Sequence, residues 1–143
     1  MKRILVAMDS SDYSQRALDM ALDLAAQSSA ELHVLHVLQL AFDNSQEIFA
    51  RIENMSIGDL VEREGANVLA RARQRAAEKG GRSINAVTVK GEPAEAILDY
   101  ARNCSADLIV LGKRGRGRLA GLLLGSISQK VASLGDRPIL IVP

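Results

Sequence analysis

Short apolar runs rich in β-branched residues alternate along this chain with segments of helical periodicity. Runs that are apolar throughout, rather than at every second position, are typical of strands covered on both faces, as in a parallel sheet with crossover helices. The alternation therefore predicts an α/β protein with the element order β-α-β-α-β-α-β-α-β. The predicted strands are Ile4–Met8, Leu32–Leu38, Ile84–Val89, Leu108–Leu111 and Pro138–Val142.

The helix boundaries follow from residues that favour helix ends. A short polar side chain can cap the first helix at Ser11 or Asp12, and Gly80-Gly81 suits the left-handed end of the second. Proline suits a first helical turn, which places the start of the third helix at Pro93. Residues 39–57 show no clean period and are predicted to form a loop, at most with a helical turn. The later helices are predicted over Gly58–Lys79, Pro93–Asn103 and Ile127–Leu134.

Right-handed crossovers favour a doubly wound, open, five-stranded parallel sheet in the order 3-2-1-4-5, with helices on both faces. In that order the first and fourth strands flank the point where the winding reverses. Ligands of such sheets bind at the carboxyl ends of these strands. The turn after the first strand carries Asp9, and the turn after the fourth begins at Gly112. The topology thus predicts a binding crevice between these two turns.

The composition narrows the class of protein. The chain has 143 residues, of which 48% are hydrophobic and 24% charged, so we expect one globular domain over residues 1–143. A net charge of +1 argues against binding to nucleic acid or to an anionic membrane. The single cysteine, Cys104, and the lack of a long apolar span or leader lead us to expect a cytoplasmic protein.

Residues 112–126 read GKRGRGRLAGLLLGS, with glycines, four cations and no carboxylate. Gly112 and Gly115 have the spacing G-x-x-G, and nine residues later Gly125 and Ser126 open the last helix. Glycines let backbone N–H groups approach a ligand closely, and a helix N-terminus offers further free N–H donors. The segment therefore predicts a polyphosphate cradle, to which four cations could add charge-assisted bonds: Lys113, Arg114, Arg116 and Arg118.

At these residues the chain resembles the universal stress protein family, in its ATP-binding branch. The family signature is G-x-x-G, nine residues, then G-[S/T], and here it stands as Gly112-Lys-Arg-Gly115 and Gly125-Ser126. The resemblance covers nearly the whole chain. Its other matching segments are Ile4-Leu-Val-Ala-Met-Asp9-Ser-Ser11, His36-Val37, Gly91-Glu-Pro-Ala94 and Asp107-Leu-Ile-Val-Leu-Gly112.

The resemblance implies ATP, with Mg²⁺, as the ligand. It places Asp9 beside the ribose and any phosphate-bound metal, and it gives the backbone of Val37 to adenine. It also implies a homodimer through the C-terminal strand, residues 138–142, whose apolar edge would otherwise be exposed. Many ATP-binding members carry a small polar residue and then histidine where this chain has Lys113 and Arg114. The phosphates would be held, mostly through main-chain N–H groups, by Gly112, Arg114, Gly115, Gly125, Ser126 and Ile127.

Several of these residues have structural alternatives. Ser126 precedes Gln129 by three residues, the spacing of a capping box, and Asp9 could cap the first helix. Gly112 and Gly115 could serve a tight turn alone. His33 and His36, three apart on a strand, should point to opposite faces and serve structural roles.

These patterns predict a cytosolic ATP-binding stress-response protein that acts as a nucleotide-dependent binding or sensing module, with no assigned catalytic residue. Whether it is an enzyme stays open. The main alternative is a slow Mg²⁺-dependent ATPase in which Asp9 holds the metal, and another is a nucleotide-free interaction protein with a vestigial loop. An unidentified protein partner is compatible with each hypothesis.

Overall fold

A computed structural model describes residues 1–39, 51, 56–115 and 124–143 of the chain. Strands and helices alternate within these residues in the predicted order. The strands are β1 Arg3–Ala7, β2 Glu31–Leu38, β3 Asn85–Lys90, β4 Leu108–Gly112 and β5 Ile139–Val142. The helices are α1 Asp12–Ser28, α2 Ile57–Glu78, α3 Pro93–Asn103 and α4 Ser126–Leu134.

The described strands form one five-stranded sheet in the order β3-β2-β1-β4-β5, and every neighbouring pair is parallel. This confirms the predicted order 3-2-1-4-5. The ladder between β1 and β2 ends at Ala7 opposite Leu35, and β1 pairs with β4 on its other side. The carboxyl ends of β1 and β4 therefore lie side by side, where a doubly wound sheet changes winding direction.

Both faces of the sheet are covered, which explains why the strands are apolar at successive positions. Helices α1 and α2 cover one face and bury Ile4 and Val6 of β1. Helices α3 and α4 cover the other face and bury Leu5. Each of these three β1 side chains is fully inaccessible to solvent.

The helix ends follow capping chemistry. Ser11, one of the two predicted caps of α1, accepts the N–H of Ser14 through its side chain. Gly80 and Gly81 after α2 have φ values of 110° and 71°, in the left-handed region that favours glycine. Glu92 caps α3 with its carboxylate, which accepts the N–H groups of Glu95 and Ala94. These bonds hold the pKa of the Glu92 carboxyl below its usual range.

A few predicted boundaries shift by one residue. β1 ends at Ala7, so that Met8 lies past the strand, and β3 begins at Asn85 instead of Ile84. Pro138 lies before β5, because proline has no N–H to donate to a ladder. Most of the loop predicted over residues 39–57, and the cations Arg116 and Arg118, lie outside the described residues. Of the helices in the described ranges, none combines the length and apolar character needed to cross a bilayer.

Candidate functional site

Three backbone segments meet at the carboxyl ends of β1 and β4: the turn at Asp9, the loop at Gly115 and the start of α4 at Gly125. A β-carbon placed on Gly115 would lie 2.7 Å from Oδ2 of Asp9. A β-carbon placed on Gly125 would lie 3.2 Å from the Cα of Arg114 and 3.6 Å from the N of Gly115. The structure thus brings three sequence-predicted site residues into direct proximity, and the absence of side chains on two of them makes this approach possible.

The carboxylate of Asp9 is held in place by its own turn. Its Oδ1 accepts the N–H of Ser11 at 2.8 Å, while Ser14 Oγ donates to the Asp9 carbonyl at 2.9 Å. The cap of α1 is Ser11, so the alternative that Asp9 serves as the helix cap is wrong. The second oxygen, Oδ2, faces the loop at Gly115.

Gly112 has a packing role of its own. A β-carbon at this position would lie 2.8 Å from both the carbonyl carbon and the Cβ of Tyr13, in the first turn of α1. Only glycine lets the end of β4 pass this close to the helix backbone. The Gly112 carbonyl accepts Ser128 Oγ at 2.8 Å, and the next N–H, of Lys113, donates to the Val142 carbonyl at 2.7 Å. Gly112 therefore joins α1, α4 and β5 beneath the loop.

The N-terminus of α4 has no capping side chain, because its N-cap is Gly125, with φ −67° and ψ 163°. The Gly125 N–H donates to the Lys113 carbonyl at 2.8 Å, which fastens the helix start to the loop. The structural alternative for Ser126, a capping box with Gln129, is wrong, because Ser126 is already the first helical residue. Gln129 instead donates through Nε2 to the Leu124 carbonyl at 3.2 Å.

Val37 presents its backbone toward β1, past the end of that strand. Leu35 accepts the Met8 N–H at 2.8 Å, and Leu38 accepts the Gly91 N–H at 3.1 Å on the other side of β2. The backbone N–H and C=O groups of successive strand residues point alternately to the two neighbouring strands. Those of Val37 therefore point to the same side as those of Leu35, toward β1. The ladder with β1 ends opposite Leu35, so the Val37 backbone faces the crevice.

The charges of the described site are two half-buried cations, Lys113 and Arg114, and the half-buried carboxylate of Asp9. Within residues 1–39, 51, 56–115 and 124–143, no group of three or more His, Cys, Asp or Glu side chains could hold a metal ion by itself. The crevice therefore offers glycine-lined backbone and positive charge, with one carboxylate at its edge.

The two histidines of β2 lie on opposite faces of the sheet, as predicted. His33 Nδ1 lies 3.0 Å from the Tyr100 hydroxyl and Nε2 lies 2.9 Å from the Glu31 carboxylate, which lowers the Glu31 pKa. His36 Nδ1 lies 2.8 Å from the Met8 carbonyl, directly before Asp9. The contact of His36 with Met8 was not predicted, because its only signal in the sequence is the position of His36 near the end of β2.

The fold and this geometry define a doubly wound α/β protein with a glycine-lined crevice at its switch point. The model of the Universal stress protein family matches residues 1–143, and the chain belongs to that family.

Similar proteins agree with this assignment. The chain is 40% identical over 147 residues to universal stress protein YxiE of Bacillus subtilis, an alignment that covers 98% of this chain and 97% of that protein. Universal stress protein UspA from Lactobacillus plantarum has a similar structure, with a TM-score of 0.81 and 25% identity over 99% of this chain and 97% of that one. A universal stress protein crystallised in complex with cAMP gives a TM-score of 0.75 and 29% identity, covering 99% of this chain and 97% of its own.

Proposed function

We propose that this universal stress protein binds ATP, with Mg²⁺, in the crevice between β1 and β4 and acts as a nucleotide-dependent binding or sensing module. One observation carries the proposal: Gly125, an N-cap without a side chain, lies against Arg114 and Gly115. The free N–H end of α4 and the glycine loop thereby form one continuous main-chain surface, which suits a chain of phosphates. The cAMP complex of a related protein supports a nucleotide as the ligand.

Each predicted site residue has a role in this proposal. The N–H groups of Gly115, Ser126 and Ile127 bind phosphate oxygens, while Gly112 supports the loop from below. Arg114 and Lys113 add positive charge, which favours a triphosphate over a monophosphate. The backbone of Val37 contacts adenine at the far end of the crevice.

Asp9 suits a metal ion that arrives with the nucleotide. Mg²⁺ is bound in proteins by one or two carboxylates together with substrate phosphates and water, so a cluster of protein ligands is unnecessary. Oδ1 of Asp9 accepts the Ser11 N–H, and Oδ2 faces the loop, where phosphate would lie. When bound, the metal supplies charge neutralisation to the phosphates.

Retention of ATP fits this site better than rapid turnover. Phosphoryl transfer to water needs a group that orients the attacking water, in addition to a metal ligand. Asp9 is the single carboxylate proposed for the site, and one of its oxygens is already engaged by Ser11. We therefore expect turnover well below the roughly 1–100 s⁻¹ typical of kinases.

Thermal unfolding with and without Mg-ATP tests the proposed function. A ligand at a hundred times its Kd adds about 2.7 kcal/mol to the free energy of unfolding, which raises the melting temperature of a domain this size by roughly 8–11 °C. Differential scanning calorimetry measures this shift. An unchanged melting temperature at millimolar Mg-ATP would overturn ATP binding.

Arg114→Ala distinguishes binding from catalysis. If Arg114 holds ground-state phosphate, the substitution weakens ATP binding by about 1.5–3 kcal/mol, the range for hydrogen bonds to charged groups. Hydrolysis per bound nucleotide stays nearly constant in single-turnover experiments. Arg71→Ala, at an exposed position of α2, is the matched control and should change neither quantity. Unchanged affinity with hydrolysis reduced about a hundredfold or more would support the ATPase alternative instead.

We also propose a homodimer through β5, which lies at the edge of the sheet. Its Ile139, Leu140 and Ile141 are only partly buried, and the neighbouring Leu134 is 58% exposed. The Val142 carbonyl accepts the N–H of Lys113, which follows β4, so the backbone of Val142 points toward β4. Because successive strand residues alternate in direction, the N–H of Ile141 points to the open edge of the sheet.

Ile141→Pro removes that outward N–H while the pairing groups of the neighbouring residues on the β4 side remain. We expect the wild-type protein to sediment as a dimer at tens of micromolar and this variant as a monomer. Ile141→Val keeps the N–H and should remain dimeric. A wild-type protein that sediments only as a monomer would refute the interface.

A further inference from the structure

His36 is a buried side chain that the proposed ATP site does not use directly. It is 8% exposed, and its Nδ1 lies 2.8 Å from the Met8 carbonyl oxygen. Because a carbonyl only accepts hydrogen bonds, Nδ1 is the donor. The imidazole therefore fastens β2 to the residue that precedes Asp9.

Helix α2 leaves room for the ring at Gly65. A β-carbon on Gly65 would lie 3.0 Å from Cδ2 of His36 and 3.5 Å from its Nε2. The ring is thus confined between α2 on one side and the end of β1 on the other. Its position depends on Gly65 as well as on Met8.

The hydrogen bond of His36 replaces the next step of the sheet ladder. Met8 donates its N–H to the Leu35 carbonyl, and in a continued parallel ladder its own carbonyl would accept the N–H of Val37. That carbonyl instead accepts from the His36 side chain. The ladder can therefore end opposite Leu35 without leaving the buried Met8 carbonyl unsatisfied.

We propose that His36 is a positioning residue for the nucleotide base. By occupying the Met8 carbonyl, it leaves the Val37 backbone directed at the crevice, where it can bind the edge of a purine. The same bond reaches the chain before Asp9, but the Asp9 carboxylate is held separately by the Ser11 N–H. This inference rests on the proposed ATP site. It identifies His36 as the side chain that holds the base-binding part of that site in position.

Two probes separate this role from a general structural one. Mg-ATP uses both the base and the phosphate regions of the crevice, whereas inorganic tripolyphosphate with Mg²⁺ uses the phosphate region alone. In isothermal titration calorimetry, His36→Leu should weaken ATP binding about three- to tenfold, the loss expected for one neutral hydrogen bond, and leave tripolyphosphate binding unchanged. His36→Asn, whose side-chain amide can still donate to Met8, should recover most of the ATP affinity.

The outcomes distinguish this inference from the proposed function. A wild-type protein that does not bind ATP would contradict the proposed function, whether or not it binds tripolyphosphate. If the wild type binds ATP and His36→Leu weakens the binding of ATP and of tripolyphosphate equally, the positioning role is wrong. The same holds if His36→Leu weakens the binding of neither. If His36→Leu fails to fold, Gly65→Ala provides a second test: its methyl group would press on the His36 ring at 3.0 Å and on Leu38 at 3.1 Å, and it should weaken ATP binding more than tripolyphosphate binding.

Discussion

Gly115→Val is expected to abolish the stabilisation of this protein by Mg-ATP while the unliganded protein keeps its fold. A β-carbon at residue 115 would lie 2.7 Å from Oδ2 of Asp9, and a valine side chain adds two methyl groups at the same place. Only the end of the Asp9 side chain has to move, at most at the cost of its hydrogen bond from Ser11, but the loop backbone can then no longer approach a phosphate. Mg-ATP at a hundred times the wild-type Kd should raise the free energy of unfolding of the wild type by about 2.7 kcal/mol, and that of Gly115→Val by nearly zero.

Scanning calorimetry of three proteins, with and without Mg-ATP, measures this effect. Gly58→Val is the matched control, because Gly58 is exposed in the first turn of α2 and, among the described residues, a β-carbon there meets only Ser56 Oγ, at 3.9 Å. The control should retain the full ATP-induced shift. A Gly115→Val protein that is stabilised as strongly as the wild type would show that phosphate does not bind at this loop.

Gly112→Ala is expected to destabilise the fold itself by about 2–3 kcal/mol, through overpacking. The new methyl group would lie 2.8 Å from the carbonyl carbon and the Cβ of Tyr13, so relief requires movement of α1 and not only of a side-chain tip. For a domain of this size the melting temperature should fall by roughly 6–12 °C.

Denaturant unfolding of Gly112→Ala beside Gly58→Ala tests the packing role of this glycine. The control introduces the same methyl group at an open helical position and should be neutral or slightly stabilising, because alanine favours a helix over glycine. A loss below about 1 kcal/mol at Gly112 would mean that α1 adjusts without strain.

The strand order could be predicted from the sequence because it depends on the pattern within each strand and on a handedness rule that holds for nearly all parallel sheets. Apolar runs on both faces of each strand indicate a parallel sheet, and the handedness of crossovers leaves few arrangements of five strands. The proximity of Asp9 to Gly115 then follows from topology, since both residues lie in the turns that follow central strands.

The capping of α4 could not be predicted, because it depends on a difference of one residue. Ser126 and Gln129 have the spacing of a capping box, yet the helix begins one position earlier than that motif requires. Gly125 takes the N-cap because its N–H is bound by the Lys113 carbonyl, a contact with the preceding loop. Spacing along a sequence carries no information about such a contact.

Two further contacts join residues that are distant in the sequence. The approach of Gly112 to Tyr13 and the hydrogen bond from His36 to Met8 exist only once the sheet has assembled. A glycine motif indicates close approach but does not identify what approaches. A histidine in a buried strand likewise indicates a partner without identifying it.

The side-chain-free cap of α4 has an evolutionary consequence. If main-chain N–H groups and two glycines form the core of the phosphate site, that core is inherited with the backbone, while side chains such as Arg114 adjust affinity and preference. Residues 113 and 114, between Gly112 and Gly115, can then diverge among descendants without loss of the fold. A library randomised at these two positions alone should therefore yield folded proteins whose preference among nucleotides varies, and ligand preference in this lineage can drift faster than architecture.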